Sequence, residues 1–180
     1  MNSKILLDDK KIEIILHRLC CQMVERHGDF SNTVLVGLQP RGTLLLDRLK
    51  LMLSGMKVMN LKTGKLDTTF FRDDFRRKEE PLNARSTEMN VALEGRDVIL
   101  IDDVLFTGRS IRSALTAIDS YGRPKSIELL VLIDRRFSRH LPIQPDYLGA
   151  QIDALQGDKV RVVWNEDPIK NIVYLEKQNA

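Results

Sequence analysis

The chain has 180 residues, a length that fits one domain spanning 1–180 and leaves little room for two. Hydrophobic residues make up 43% and charged residues 29%, which is typical of a globular fold and too apolar for a disordered chain. The 28 basic and 25 acidic residues give a formal net charge of +3, which neither requires nor excludes an RNA partner.

The sequence carries no signal for a membrane or for secretion. Its longest apolar runs, such as residues 129–133, are much shorter than a membrane helix requires, and the first residues break into Asp8 and Asp9 after three apolar residues. The only cysteines, Cys20 and Cys21, are neighbours and cannot build a disulfide framework. We therefore expect a cytoplasmic protein without a membrane partner.

The first half of the chain predicts a helix, a strand and a second helix. Asp8 or Asp9 can cap the first helix, Gly28 suits its C-terminal cap, and apolar residues recur at helical spacing, namely Ile12, Ile15, Leu16, Leu19 and Met23. Residues 34–38 form a continuous apolar run, which is typical of a strand covered on both faces. A periodic stretch from Gly42 to Gly55 predicts the following helix.

A second unit repeats this order later in the chain. Residues 98–101 predict a strand, 102–108 a loop, 111–118 a helix ending near Gly122, and 127–133 another buried strand. Strands that alternate with crossover helices indicate a mainly parallel sheet, so the fold class is α/β. Shorter strands are expected at 57–61, 65–71, 160–164 and 172–175, and the polar residues 72–81 form a long loop that leads to 89–93.

Residues 98–110 (VILIDDVLFTGRS) carry the clearest chemistry. Successive strand side chains point to opposite faces, so Asp102 and Asp103 cannot share one role: one should face the ligand crevice and the other should brace it or meet a different group. The turn from Thr107 to Ser110 opens a helix whose first N–H groups can bind phosphate. Carboxylates that precede a phosphate-binding turn suit one ligand with ribose hydroxyls at one end and a 5′-phosphate at the other. The alternative is an ordinary capped helix preceded by two acids that are solvated in a loop.

Residues 101–110 resemble the phosphoribosyl-pyrophosphate motif of type I phosphoribosyltransferases. Segments 36–42, 71–74, 121–124 and 134–149 are similar to the pyrimidine operon attenuation regulators that are also uracil phosphoribosyltransferases, and the resemblance runs from about Leu7 to Tyr174. It implies a mainly parallel sheet flanked by helices, with a small hood and a flexible loop. It also implies that the protein forms a homodimer or a higher homo-oligomer.

The resemblance implies transfer of the phosphoribosyl group from phosphoribosyl pyrophosphate to N1 of uracil, which gives UMP and pyrophosphate with Mg²⁺. Asp102 and Asp103 would serve the ribose and the metal ion, whereas Arg41 and Arg72 would meet the pyrophosphate. The residues expected to bind phosphoribosyl pyrophosphate are Gly42, Val104, Leu105, Phe106, Thr107, Gly108, Arg109 and Ser110.

The base and any RNA would be bound by residues outside this motif. By resemblance, Asp134 and Arg135 border the base, and residues 72–80 form the mobile loop that closes over the pyrophosphate. Purine-salvage relatives commonly carry an Asp where Phe106 stands, which favours a pyrimidine base. A basic dimer face would bind operon leader RNA through Arg18 and Arg139, although the segment 135–142 is one residue longer than the family form.

Three other functions compete with an enzyme that also regulates transcription by binding RNA in response to UMP. The first is a salvage phosphoribosyltransferase without an RNA role, and the second is a nucleotide-binding regulator with little catalysis. The intact Asp102, Asp103, Thr107, Ser110 and Arg41 count against the second. The third, a phospho-acceptor receiver domain, would place its acid pair after the first strand and would not need the Thr-Gly-Arg-Ser turn.

Overall fold

The computed structural model describes residues 3–71, 86–155, 157–164 and 171–177. Arg72 and the loop predicted at 72–80 lie outside the described residues. Within these described ranges, no helix is both long and apolar enough to cross a membrane.

The described residues form strands and helices that alternate along most of the chain. In chain order the elements are β1 (Ser3–Leu7), α1 (Asp9–His27), β2 (Thr33–Leu38), α2 (Gly42–Gly55), β3 (Lys62–Leu66), a 3₁₀ turn (Thr69–Phe71), β4 (Asp97–Leu105), α3 (Arg109–Ile118), a 3₁₀ turn (Asp119–Tyr121), β5 (Ser126–Arg136), β6 (Tyr147–Asp153), β7 (Lys159–Val163) and β8 (Ile172–Glu176).

The strands form two separate sheets. The larger has the order β3-β2-β4-β5-β6, and each of its neighbouring pairs is parallel, which confirms the predicted α/β class. The smaller, which we call the hood, is antiparallel and has the order β1-β8-β7. Since β1 opens the chain and β7 and β8 come last, the hood joins segments that are far apart in sequence.

The larger sheet has an apolar core on each face, because its central strands are apolar on both sides. Ile99 and Ile101 of β4 pack with buried residues of α1, α2 and the hood. Val98 and Leu100 point the other way and pack with buried residues of α3. This double covering fixes β4 in the middle of the domain, so its carboxyl end is held firmly.

The ends of the first two helices confirm the prediction. Asp8 caps α1, since its Oδ1 accepts a hydrogen bond from the Lys11 N–H at 2.9 Å. Gly28 follows the helix with φ +57°, a conformation that suits glycine. The helix α2 spans the predicted Gly42–Gly55.

Two predictions near the active motif and after α2 are wrong. Residues 102–105 belong to β4 rather than to a loop, because β5 continues to pair with them as far as the partners Leu105 and Asp134. Residues 57–61 are no strand: Lys57 has φ +65°, and the Val58 N–H donates to the Leu53 carbonyl at 3.1 Å. This segment is therefore the turn that ends α2.

The other predicted strand of this region begins earlier and is shorter. The strand expected at 65–71 lies at Lys62–Leu66, after which the Asp67 carboxylate accepts from the Thr69 N–H at 2.9 Å and starts a 3₁₀ turn. An isolated bridge joins Lys65 of this strand to Glu88, just before residues 89–93. The apolar side chain of Leu93 is fully buried without being part of a strand.

Two strands, β1 and β6, were missing from the prediction, whereas β7 and β8 confirm it. Pro145 and Gly149 made the β6 region resemble a loop. A Cβ added to Gly149 would lie 2.3 Å from the Leu132 carbonyl oxygen, so the glycine permits close approach to β5 inside the strand. Gly149 therefore suggests a turn on sequence grounds, although its actual role is to permit a close backbone contact.

Candidate active site

The acid pair at the end of β4 divides between two environments, as the alternation of strand side chains predicts. Asp102 is half-buried and lines a cavity of about 280 Å³ with residues 104–111. Asp103 is 3% exposed and points to the other side of the strand, toward Arg41. The cavity-facing role therefore falls to Asp102 and the bracing role to Asp103.

Arg41 connects three parts of the molecule. Its Nε donates to Asp103 Oδ2 at 2.6 Å, and its Nη2 donates to the Val162 carbonyl oxygen of the hood strand β7 at 2.5 Å. The side chain is 45% exposed, so one side of the guanidinium remains open to solvent at this edge. The loop before α2, the acid end of β4 and the hood are thus tied through one side chain.

The two carboxyl groups are costly to ionise. Burial raises the pKa of Asp102, and the neighbouring Asp103 raises it further. Burial also raises the pKa of Asp103, although the Arg41 ion pair opposes this shift. A cation or a pair of hydroxyl donors placed beside the acids would therefore be bound favourably.

Gly42 lets the start of α2 lie directly on β4. A Cβ added to Gly42 would come within 2.1 Å of the Ile101 carbonyl oxygen and 3.1 Å of the Asp102 Cα. No side chain fits in this space, so the requirement for glycine follows from packing. The contact places Arg41 and the first N–H groups of α2 next to the acid pair.

The turn after β4 forms the other side of the 280 Å³ cavity. Gly108 is the N-cap residue of α3 and has φ +88°, a left-handed conformation that favours glycine. The Arg109 N–H lies 3.4 Å from Thr107 Oγ1, and Ser110 sits in the first turn of the helix. This arrangement presents backbone N–H groups and hydroxyls at the positive end of a helix, which suits an anion.

The side chains of two predicted binding residues, Val104 and Leu105, pack against the apolar core. The Leu105 side chain is 2% exposed and packs in the core on the α3 face. Val104 points to the opposite face and packs against the core cluster that includes the hood. Both residues border the cavity.

Phe106 and Arg135 form a stacked pair at the rim of the cavity. The Arg135 guanidinium lies over the Phe106 ring, with 4.0 Å from Cζ to the ring centroid. Arg135 is 7% exposed, burial lowers its pKa, and its Nε has no partner among the described residues. The ring of Phe106 is 44% exposed, so its outer face remains available.

Asp134 is buried and its carboxylate is already occupied. Arg139 donates to Asp134 Oδ1, and the Gln151 side-chain N–H donates to Oδ2 at 3.3 Å. Gln151 was not predicted as a site residue, because β6 was not recognised; its register places it directly beside Asp134. Next to this cluster lies a second cavity, of about 680 Å³, lined by Asp134, Arg135, Arg139 and Gln151 among others.

Both arginines predicted to contact RNA are engaged within the chain. Arg18 donates to the carbonyl oxygens of Leu148 at 3.1 Å and Gly149 at 2.6 Å, which ties α1 to β6. Arg139 donates to Asp134 and to the Phe106 carbonyl. The Arg18 side chain is exposed, whereas that of Arg139 is 22% exposed. An RNA contact by either residue stays a prediction.

The donor set fits a shared cation better than a closed protein site. Among the described residues, no group of three or more His, Cys, Asp or Glu side chains is arranged to hold a metal ion. Asp102 offers carboxylate oxygens beside an open cavity, and the carboxylate of its neighbour Asp103 is paired with Arg41. This fits Mg²⁺, which usually binds through one or two carboxylates together with substrate oxygens.

Comparisons with known proteins agree with this geometry. A protein named Bifunctional protein PyrR from Haemophilus ducreyi is 39% identical over 179 residues, which cover 99% of both chains. A protein of the same name from Streptococcus equi subsp. zooepidemicus is 39% identical over 162 residues, 90% of both chains.

Solved structures show the same fold at low identity. A hypoxanthine phosphoribosyltransferase of Trypanosoma cruzi superimposes with a TM-score of 0.70 at 17% identity, covering 94% of this chain and 90% of that one. One from Staphylococcus aureus gives 0.65 at 22%, covering 83% and 78%. The family model described as phosphoribosyl transferase domain matches residues 2–166. With the acid pair, the glycine turn and the parallel sheet in place, the chain belongs to the phosphoribosyltransferase family.

Proposed function

We propose that the protein transfers the phosphoribosyl group of phosphoribosyl pyrophosphate to N1 of uracil and releases UMP and pyrophosphate. The observation that carries this proposal is that Asp102 lines one cavity with the turn at residues 107–110, while the adjacent Asp103 pairs with Arg41. One ligand with ribose hydroxyls at one end and a 5′-phosphate at the other would span the acids and the turn. The similarity to the PyrR proteins supports uracil as the base.

Each group has a role in this reaction. The N1–C1′ bond forms while the bond from C1′ to the pyrophosphate oxygen breaks, and N1 loses its proton. Asp102 would orient the ribose hydroxyls, and Arg41 would turn toward the charge that develops on the leaving group. Mg²⁺, when bound, would neutralise pyrophosphate charge beside Asp102 and Asp103. Arg72 is proposed to assist Arg41, although it lies outside the described residues.

The decisive experiment incubates the protein with labelled uracil, phosphoribosyl pyrophosphate and Mg²⁺. Wild type should form UMP, and Asp103→Asn should form it much more slowly, because the partner of Arg41 loses its charge. Asp153→Asn is the matched control, since Asp153 is an exposed acid on β6 that pairs with Arg136 of β5. Absence of UMP from wild type would overturn the proposal and leave a nucleotide-binding regulator.

We also propose that the protein binds pyrimidine operon leader RNA in response to UMP. The word bifunctional in the relatives' name and the exposed Arg18 on α1 support this second function. The test titrates a leader transcript at several salt concentrations, with and without UMP, for wild type and Arg18→Gln. Affinity that depends on neither RNA sequence nor UMP would indicate generic electrostatic attraction and a salvage enzyme alone.

The assembly we propose is a cytoplasmic homodimer or higher homo-oligomer. Large apolar side chains stand exposed on α1 and α2, where Ile14 is 61% and Leu51 is 76% exposed, and an apolar surface of this kind favours association. Both cysteines carry free thiols, which fits a reducing compartment. Light scattering across a range of protein concentrations tests the assembly, and a mass of one chain throughout would exclude it.

A further inference from the structure

The segment 139–143, which follows β5, packs directly against the phosphate-binding turn. Arg139 Nη1 donates to the Phe106 carbonyl oxygen, and the His140 N–H donates to the Thr107 carbonyl oxygen at 3.0 Å. A Cβ added to Gly108 would meet Ile143 Cδ1 at 3.2 Å, so this glycine is also covered by the segment. Three consecutive residues of the turn are therefore held from outside by one stretch of chain.

Within this segment, the Arg139 side chain contacts two separate groups of the protein. It pairs with the Asp134 carboxylate, whose side chain is 8% exposed and whose second oxygen accepts from Gln151. The planar guanidinium thus bridges a buried acid on β5 and a backbone carbonyl at the start of the turn. Loss of Arg139 would leave a buried carboxylate without its cation, so the native position of this side chain is strongly favoured.

The turn itself has little internal reinforcement. Gly108 has no side chain with which to cap α3, and the side-chain hydrogen bond from the Arg109 N–H to Thr107 Oγ1 is long, at 3.4 Å. An anion binds well at a helix N-terminus only if the free N–H groups point at one place before it arrives. The anchors on Phe106 and Thr107 supply that order here.

We propose that Arg139 is a positioning residue for the phosphate-binding turn, which it holds in place by clamping the Phe106 carbonyl to Asp134. The RNA contact predicted for Arg139 stays a prediction beside this role, which follows from its contacts with Asp134 and the Phe106 carbonyl. The inference rests on the proposed function in one respect, namely that the 5′-phosphate of the substrate occupies this turn.

The test uses ribose 5-phosphate as the probe, because it carries the phosphate and ribose without base or pyrophosphate. Calorimetry should show that Arg139→Gln raises the Kd by about tenfold, since a small misplacement of binding groups has effects of this size or larger. Arg136→Gln is the matched control. Arg136 lies near the same strand end and pairs with Asp153 at 2.5 and 2.8 Å, but both side chains are exposed. Its Kd should equal that of wild type.

Three further measurements separate positioning from general structural damage. In Arg139→Ala, added guanidinium ion should restore most of the affinity, whereas it should not change Arg136→Ala. Asp134→Asn removes the charge that orients Arg139 while both arginine contacts remain possible, so it should raise the Kd by a smaller factor. With substrate, Arg139→Gln should raise the KM for phosphoribosyl pyrophosphate and leave kcat within about twofold, the pattern of lost binding.

The outcomes separate this inference from the proposed function. An Arg139→Gln variant with unchanged Kd for ribose 5-phosphate overturns the positioning role, even if wild type converts uracil to UMP. Equal losses in Arg139→Gln and Arg136→Gln, or no response to guanidinium ion, overturn it as well. A specific effect of Arg139 on ribose 5-phosphate would support the inference even if uracil is not the base, in which case only the proposed function fails.

Discussion

Two buried acidic sites lie at opposite ends of the same parallel sheet and are satisfied very differently. At the amino ends of the strands, Glu128 accepts from Arg26 at 2.8 Å, from Tyr147 at 2.7 Å and contacts His27 Nε2 at 2.9 Å. At the carboxyl ends, Asp103 has Arg41 as its cation partner, and its neighbour Asp102 faces an open cavity.

The difference shows how one sheet separates stability from chemistry. Glu128 joins α1, β5 and β6 through strong contacts that need no ligand, so it stabilises the fold in every state of the protein. Asp102 and Asp103 have their pKa values raised by burial, which means that the unliganded site carries an electrostatic cost. A ligand that brings a cation and hydroxyl donors would relieve this cost, which is typical of functional sites.

The largest expected effect lies at the carboxyl-end site. Asp103→Asn should lower the rate of UMP formation by about 10² to 10³-fold, the size of effect seen when one preorganised charged group is removed. The free energy of unfolding should stay the same or rise, because the variant no longer buries a charge. Parallel rate and urea-unfolding measurements check this, and a large loss of stability would contradict the division of roles.

The close contact between α2 and β4 offers a second test at the same end. Gly42→Ala should lower the free energy of unfolding by about 3 kcal/mol, near the upper end for overpacking, because the added Cβ meets a backbone carbonyl that cannot rotate away. Gly55→Ala is the control, since a Cβ there meets nothing within 4 Å. Denaturant titration of both variants measures the difference, and equal stabilities would show that the contact is loose.

The amino-end site should show the opposite balance. Glu128→Gln should lower the free energy of unfolding by about 2 kcal/mol, because Tyr147, His27 and Arg26 lose a shared charged acceptor. Activity per folded molecule should remain that of wild type. Glu176→Gln is the matched control, as this acid is partly exposed and lies 3.8 Å from Arg161. A selective loss of activity in Glu128→Gln would contradict the conclusion that the amino-end site serves stability and the carboxyl-end site serves chemistry.

The smallest expected effect concerns acid stability at the amino ends. The hydrogen bond from Ser126 at 2.7 Å is the main cause that lowers the pKa of Asp97 below 3.8. A lowered pKa adds stability that is present above the unfolded value and is lost as pH falls through the folded value. Ser126→Ala should therefore cost about 1 kcal/mol at pH 7 and progressively less in acid.

A serine with an uncharged acceptor provides the control for this pH dependence. Ser113 Oγ donates to the Arg109 carbonyl oxygen at 3.0 Å, so the effect of Ser113→Ala on stability should not depend on the charge of an acid. Urea unfolding of both variants from pH 7 downward gives the two slopes. If the cost of Ser126→Ala stayed constant into acid, the coupling to Asp97 would be wrong.

The sequence by itself determined the α/β class, the helices α1 and α2, and the position of the acid pair before the glycine turn. These features are local: apolar period, caps and strand alternation act between residues a few positions apart. Asp8 and Gly42 are examples, because each predicts the start of a helix, α1 and α2 respectively, without knowledge of the fold.

Only the tertiary structure decided which distant groups meet these local features. The continuation of β4 to Leu105 depends on its pairing with β5. The sequence does not indicate β6, because Gly149 resembles a turn residue although it permits a close contact with Leu132 inside the strand. The Arg139 side chain could have faced solvent or the chain interior on sequence grounds. Its partners Asp134 and the Phe106 carbonyl settle the choice, because a buried carboxylate requires a donor and the fold places one guanidinium between this carboxylate and the Phe106 carbonyl.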